Sequence, residues 1–360
     1  MDEGLLATGF VSYPPDMVRI GNKTAKIEPA GELALIRLIR KRVKTVSRGE
    51  VRLGIGDDCA LLRPRRGEEF AVTTDLSIAG RHFWLATHPP ESIGHRALAR
   101  GLSDLAAMGA RPVAAFLSLA VPMELAGEWT RRFIDGLLKL AAEHKTTLAG
   151  GDLSEAPIPL ADIVLVGSVP SGKALLRSGA RPGQMLYVTG TLGGSAVGLA
   201  RLIEVAESDG QIAKQRRGAS NSSIASSTAI LSRHLYPQPR IAQGLWLRKH
   251  GMATAAIDLS DGLSTDLMHL CEESNVAAEI DAALLPIHPG ATLEQALNGG
   301  EDYELLFTAP LSARVPKAIA GVPVTCIGRI LKRGTNRPAV TLNTAEGLLP
   351  LQPKGWRHFA

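Results

Sequence analysis

Residues 185–205 read MLYVTGTLGGSAVGLARLIEV. The first five, Met185 to Thr189, have the apolar and β-branched character of a strand. Glycines follow at 190, 193 and 194, and the segment 193–205 returns to apolar residues at helical spacing. A strand, a glycine turn and a helix make one α/β unit. The same alternation recurs on both sides of it. Upstream, the stripe Leu33, Leu35, Ile36, Leu38, Ile39 and Val43 predicts a helix over 31–46. Further helices are expected at 90–108 and 124–144, and strands at 53–62, 70–76, 113–121, 146–149 and 163–169. Downstream, helices are expected at 240–250 and 264–274, and strands at 305–308 and 324–330. The pattern says α/β (or α+β) in two halves, with a break near 170–180. We therefore divide the chain into an extension (1–30), an N-terminal domain (31–171) and a C-terminal domain (172–360). The polar, Ser-rich stretch 207–228 reads as a mobile insertion or a loosely held helical connection.

The length of 360 residues supports two domains. No apolar run nears the roughly 18 residues that span a bilayer; the longest, 112–122, is of core-strand length. The N-terminus has no basic region followed by an apolar one, so no secretory signal is expected. Cys59, Cys271 and Cys326 form no CxxC pair, which fits a reducing cytoplasm without disulfides. A formal charge of +5 is spread along the chain, and its densest basic cluster, 37–44, fits the solvated face of one helix. Aromatic residues are too few for a stacking platform, so neither nucleic acid nor membrane is an expected partner.

The aspartates are gathered rather than scattered. Seven of the fifteen stand in Gly54-Ile55-Gly56-Asp57-Asp58, Thr73-Thr74-Asp75, Leu102-Ser103-Asp104, Gly150-Gly151-Asp152 and Asp258-Leu259-Ser260-Asp261-Gly262. Any one of them could be a turn residue or a helix N-cap. Asp104, however, sits among Leu102, Leu105, Ala106 and Ala107, where an unpaired carboxylate is costly. Short carboxylates with hydroxyls beside them suit Mg²⁺, which takes oxygen ligands and is usually shared with phosphates. The turn Gly190 to Gly194 suits an anion at a helix N-terminus, although neither GxGxxG nor a P-loop is present. Arg177 could hold a phosphate, and Gly299-Gly300-Glu301-Asp302-Tyr303-Glu304 puts three acids behind a tight turn.

In order along the chain, GIGDDCALL (from 54), TTD (73), AGRHF (79), LSDLAAMGARP (102), GGD (150), LLRSGARPG (175), YVTGTLGGSAVGLA (187), PQPR (237), IDLSDGLSTDL (257) and GGEDYELLFT (299) resemble the thiamine-monophosphate kinases. That family stands in a superfamily with aminoimidazole ribonucleotide synthetase and selenophosphate synthetase. The resemblance covers about 31–359 and implies a two-domain fold. Its N-terminal strands would form a barrel shared in a homodimer, and its C-terminal half would be an α/β layer. It implies an enzyme that uses ATP and several Mg²⁺ ions to convert thiamine monophosphate into the diphosphate, with no covalent nucleophile. By motif, Asp58, Thr74, Asp75, Asp104, Asp152, Asp258 and Asp261 match metal ligands. Gly151, Asp152, Arg177 and Ser260 match ATP contacts, and His82, Glu301 and Trp356 match positions near the thiamine substrate. The alternatives are another ATP-dependent synthetase of the superfamily and a non-catalytic nucleotide-binding regulator.

Overall fold

In a computed structural model, the alternation resolves into two large sheets and a two-stranded one, with helices between and beside them. The structure describes residues 32–43, 49–55, 58–212, 224–335 and 338–355. The N-terminal half contains α1 (Glu32–Arg42), β1 (Val51–Leu53), β2 (Leu61–Leu62), β3 (Glu68–Ile78), α2 (Pro90–Ala107), β4 (Arg111–Val121), α3 (Glu128–Glu143), β5 (Thr147–Glu155) and β6 (Leu160–Pro170). The C-terminal half contains β7 (Met185–Thr189), α4 (Gly194–Ile212), α5 (Ile224–Leu235), α6 (Ile241–Lys249), β8 (Ala255–Asp258), α7 (Leu263–Glu273) and β9 (Val276–Asp281). It continues with α8 (Leu293–Asn298), β10 (Leu305–Ala309), β11 (Ala318–Ile319), β12 (Val322–Lys332), β13 (Val340–Thr344) and β14 (Gly347–Pro350).

The N-terminal sheet runs β3-β6-β4-β5, and only its β4–β5 pair is parallel. It is open, and among the described residues no closed barrel forms within the chain. The C-terminal sheet runs β14-β13-β9-β12-β7-β10-β8, with β11 added to β12. Helix α2 lies between the halves. Proline sits in its first turn, and Gly109, at φ 62°, lies just past its end. Its residues are buried on almost every side, as befits a helix enclosed by protein. It packs on α3, on β3 and β6 of one sheet, and on α6 and β8 of the other half. Its contact with α3 is set by two glycines. A Cβ on Gly94 would lie 1.9 Å from the Phe133 carbonyl oxygen, and one on Gly136 would lie 1.9 Å from that of Glu91. The helices can approach this closely only where both lack side chains.

Several expected boundaries differ. The strand expected over 53–62 is two short strands flanking a loop. Glycine and two aspartates in that interval favour a turn over a ladder. The helix expected over 124–144 is a 3₁₀ turn (Met123–Leu125) followed by α3, separated at Gly127. The strand expected at 146–149 continues through Gly150-Gly151-Asp152 to Glu155, so this motif lies inside β5 rather than in a turn. Strands β9, β13 and β14 were not anticipated; their register on β12 and on one another is a long-range property. In 207–228, α4 continues to Ile212 and α5 begins at Ile224, which supports the helical connection. The extension 1–30 lies outside the described residues.

Candidate active site

Period-two alternation puts Thr73 and Asp75 on the face of β3 that meets α2, and Thr74 on the other. On α2, Arg96, Arg100 and Asp104 are four residues apart and share one face. Ser103, next to them, looks towards β8. Thr73 Oγ1 donates to Asp104 Oδ2 at 2.5 Å, Ser103 Oγ donates to Asp258 Oδ2 at 2.7 Å, and Arg100 Nε lies 3.5 Å from Asp75 Oδ1. Asp75, Asp104 and Asp258 thus meet from a strand, a helix and the end of a strand in the other half.

Electrostatics show the strain of this arrangement. Burial pushes the Asp75 carboxyl up to about 6, against the pull of Arg100 and with Asp104 adding to the rise. Burial, then the neighbouring Asp104, pushes Asp258 up to about 7. Asp104 also moves upward through burial, although Thr73 and the Arg177 and Arg100 charges oppose it. Three carboxylates that disfavour each other's ionisation form a place where a cation is welcome. Among the described residues, no group of three or more His, Cys, Asp or Glu side chains is placed to hold a metal ion by itself. An oxygen-only set that leaves coordination positions for phosphates is the kind Mg²⁺ uses.

After Asp258 the chain turns through Leu259-Ser260-Asp261-Gly262 into α7. The Asp266 carboxylate accepts from the Asp261 and Gly262 backbone N–H groups at 3.0 and 3.1 Å and so fixes the turn. Residues 299–304 run beside it. Glu301 N donates to Ser260 O (2.8 Å), Tyr303 N to Leu259 O (2.9 Å) and Leu259 N to Glu304 O (2.8 Å). A Cβ on Gly300 would lie 2.7 Å from Ser260 O, so glycine is what lets the two loops touch. Glu301 and Tyr303 both occupy the left-handed region, at φ 65° and 51°. That conformation costs an L-residue about 1–2 kcal/mol and needs support from the surroundings.

The three acids of this loop supply that support. Arg96 Nη2 donates to both Glu301 carboxylate oxygens, at 2.6 and 2.8 Å. Although burial alone would raise it, the Arg96 charge, His234 and Arg100 bring the Glu301 carboxyl down to about 2. The Glu304 carboxylate forms a fork with Arg240 at 2.5 Å on both arms and accepts from Thr189 at 2.7 Å. The Asp302 carboxylate accepts from the Gly193 and Ser195 backbone N–H groups at 2.6 and 3.1 Å. It therefore occupies the helix N-terminus that the glycine turn suggested for a phosphate. The expected anion is the protein's own side chain.

Other expected site residues lie elsewhere. Thr74 is exposed, beside Val72 and Leu76 on the outer face of β3. Asp152, also on the outer face, is in register with Ser118 of β4, then Asp162 of β6, then Leu76 of β3. Three strand spacings, about 14 Å, separate β5 from β3. Gly151 (φ 146°) has no room for a side chain, since a Cβ would lie 1.9 Å from the Leu117 carbonyl oxygen. Asp58 is exposed between β1 and β2. Arg177 is exposed, and its charge acts on Asp104 and Asp258. His82 Nδ1 accepts from Ile78 N at 3.0 Å, and the His82 carbonyl accepts from Arg96 at 3.3 Å. Trp356 lies outside the described residues. Sequence reasoning missed Thr73, Ser103, Arg96 and Arg100. The four-residue spacing of charges on 96–104 was the available signal, but only the fold shows which face it serves.

Comparison with known proteins places the chain in a family. Residues 56–169 match the family "AIR synthase related protein, N-terminal domain", and residues 181–340 match "AIR synthase related protein, C-terminal domain". The thiamine-monophosphate kinase of Escherichia coli K12 is 43% identical over 350 residues, covering 92% of this chain and 98% of the relative. The crystal structure of thiamine-monophosphate kinase from Stenotrophomonas maltophilia superposes with a TM-score of 0.73 at 39% identity, over 87% of this chain and 96% of that one. AaThiL complexed with AMPPCP and TMP superposes with a TM-score of 0.70 at 32% identity, over 93% of this chain and 99% of that one. With both halves matched and the likeness running through nearly its whole length, the chain belongs to the AIR synthase related family and, within it, to the thiamine-monophosphate kinases.

Proposed function

We propose that the chain phosphorylates thiamine monophosphate at the expense of ATP, forming thiamine diphosphate and ADP. A terminal phosphate oxygen of the acceptor forms the new bond to the γ-phosphorus, and the bond from that phosphorus to the ADP oxygen breaks in line. The observation that best supports this is the buried meeting of Asp75, Asp104 and Asp258 beside the Ser260 and Glu301 loops. The AaThiL complex with AMPPCP and TMP supports the same pair of substrates.

Asp75, Asp104 and Asp258 are the residues best placed to hold Mg²⁺, with Asp261 on the adjoining turn. The chemistry Mg²⁺ supplies when bound is neutralisation of two phosphate groups that otherwise repel. Arg177, Ser260, Gly151 and Asp152 are assigned to ATP, and His82, Glu301 and Trp356 to the acceptor. Transfer is direct. The buried Cys271 thiol, pushed up to about 12 by burial, is unsuited to nucleophilic attack.

Thr74 and Asp152 lie on the outer face of the N-terminal sheet, away from the three carboxylates in a single chain, and a homodimer accounts for this. β3 and β5 are the two open edges of the N-terminal sheet. The outer face of β3 exposes Val72 (62%) and Leu76 (43%), apolar surface that a second copy would cover. A copy laid along the β3 edge by its own β5 carries its Asp152 towards Asp75 and extends the sheet towards a barrel. The three free cysteines fit residence in the cytoplasm.

The substrate assignment is tested with purified protein, ATP, Mg²⁺ and either thiamine monophosphate or free thiamine. ADP and thiamine diphosphate should appear one for one from the monophosphate alone. Transfer to free thiamine, or ADP without diphosphate, rejects the assignment.

A further inference from the structure

Arg96 is 5% exposed and lies in the middle of α2. Its two Nη groups reach three segments far apart in sequence. Nη2 donates to both oxygens of Glu301 and to the His82 carbonyl (3.3 Å). Nη1 donates to the His234 carbonyl, and His234 Nδ1 lies 3.0 Å from Ser195 Oγ at the start of α4. Glu301 sits in the left-handed region, and its side chain retains 27% exposure. A planar, permanently charged donor set of this kind fixes direction as well as distance.

We propose that Arg96 is a positioning residue for the phosphoryl acceptor: it holds the Glu301 carboxylate and the 79–83 turn that carries His82 in a fixed relation across the junction of the two halves. The inference rests on the reading that His82 and Glu301 face the acceptor. Arg96 acts through these partners, because both of its Nη groups are engaged inside the protein. Through it, the acceptor pocket is tied to α2, the same helix that carries Asp104 and Ser103 to the metal cluster. The two substrates are thereby registered on one rigid element.

The test compares Arg96→Lys, Glu301→Ala and Glu301→Gln. Lysine keeps the charge but loses the fork, and a misplacement near 1 Å can cost up to about a hundredfold. Arg96→Lys should raise the KM for thiamine monophosphate by about tenfold to a hundredfold while leaving the KM for ATP unchanged. An unchanged acceptor KM, or an equal rise in both KM values, overturns the proposal. Should Arg96→Lys fail to fold, the neutral pair Arg96→Gln/Glu301→Gln takes its place. The pair should raise the acceptor KM no further than Glu301→Gln alone, since the two residues act as one unit; additive losses overturn the proposal. Glu301→Ala separates the two levels. If it leaves the acceptor KM unchanged, the reading of Glu301 as an acceptor contact fails and the proposal falls with it. If it raises that KM and Arg96→Lys does not, only the positioning role is wrong.

Discussion

Asp75 shows how one side chain serves activity against stability. Burial pushes its carboxyl up to about 6, and that of Asp258 up to about 7, from the ordinary 3.8. The folded state therefore binds more protons than the unfolded one between about 4 and 7, and stability falls as pH rises through that window. A cation bound by the ionised carboxylates reverses this loss. Mg²⁺ should raise the Tm more at pH 8 than at pH 5, as measured by thermal unfolding with and without the ion. An equal or smaller rise at pH 8 would remove these residues from the metal site. Asp75→Asn should lower turnover about a hundredfold or more, the scale on which even the outer partners of metal ligands act. Its Tm at pH 8 without Mg²⁺ should match or exceed that of the wild type, because a buried like charge is gone.

At the scale of elements, α2 organises the molecule. Its glycine contact with α3 is intolerant of any side chain. Gly136→Ala forces a methyl group against the Glu91 carbonyl and should destabilise by about 1–3 kcal/mol in denaturant unfolding. A variant as stable as the wild type would mean that the helices can separate without cost. The elements also show what could be read in advance. The unit over 185–205, the helix ending at Gly109 and the strand over 113–121 carry strong local signals, and they formed as expected. β9 and β13 carry no comparable signal, because their place in the sheet depends on pairing with residues 48 or more positions away. For the site, Asp104 was legible because a carboxylate among leucine and alanine needs a reason. Arg96 was not, since an arginine on a helix ordinarily lies in solvent. The turn over 190–194 was read correctly as an anion site, but its occupant, Asp302, is more than 100 residues away and could be found only in three dimensions.

At the scale of the whole molecule, two sheets each contribute part of one acidic cluster, and α2, which packs on both, carries Asp104 to it. The homodimer arrangement makes its own prediction. If Asp152 acts in the partner's site, co-expressed Asp75→Asn and Asp152→Asn chains give mixed dimers with one intact site, and activity returns although each variant alone is inactive. If every site draws on a single chain, the mixture stays inactive. The central claim, direct phosphoryl transfer from ATP to thiamine monophosphate at a carboxylate-held Mg²⁺, is tested most directly by following thiamine diphosphate formation as Mg²⁺ is titrated and then chelated. The account predicts product that appears with the ion and ceases on its removal. No diphosphate at any Mg²⁺ concentration, or formation indifferent to the chelator, would contradict it.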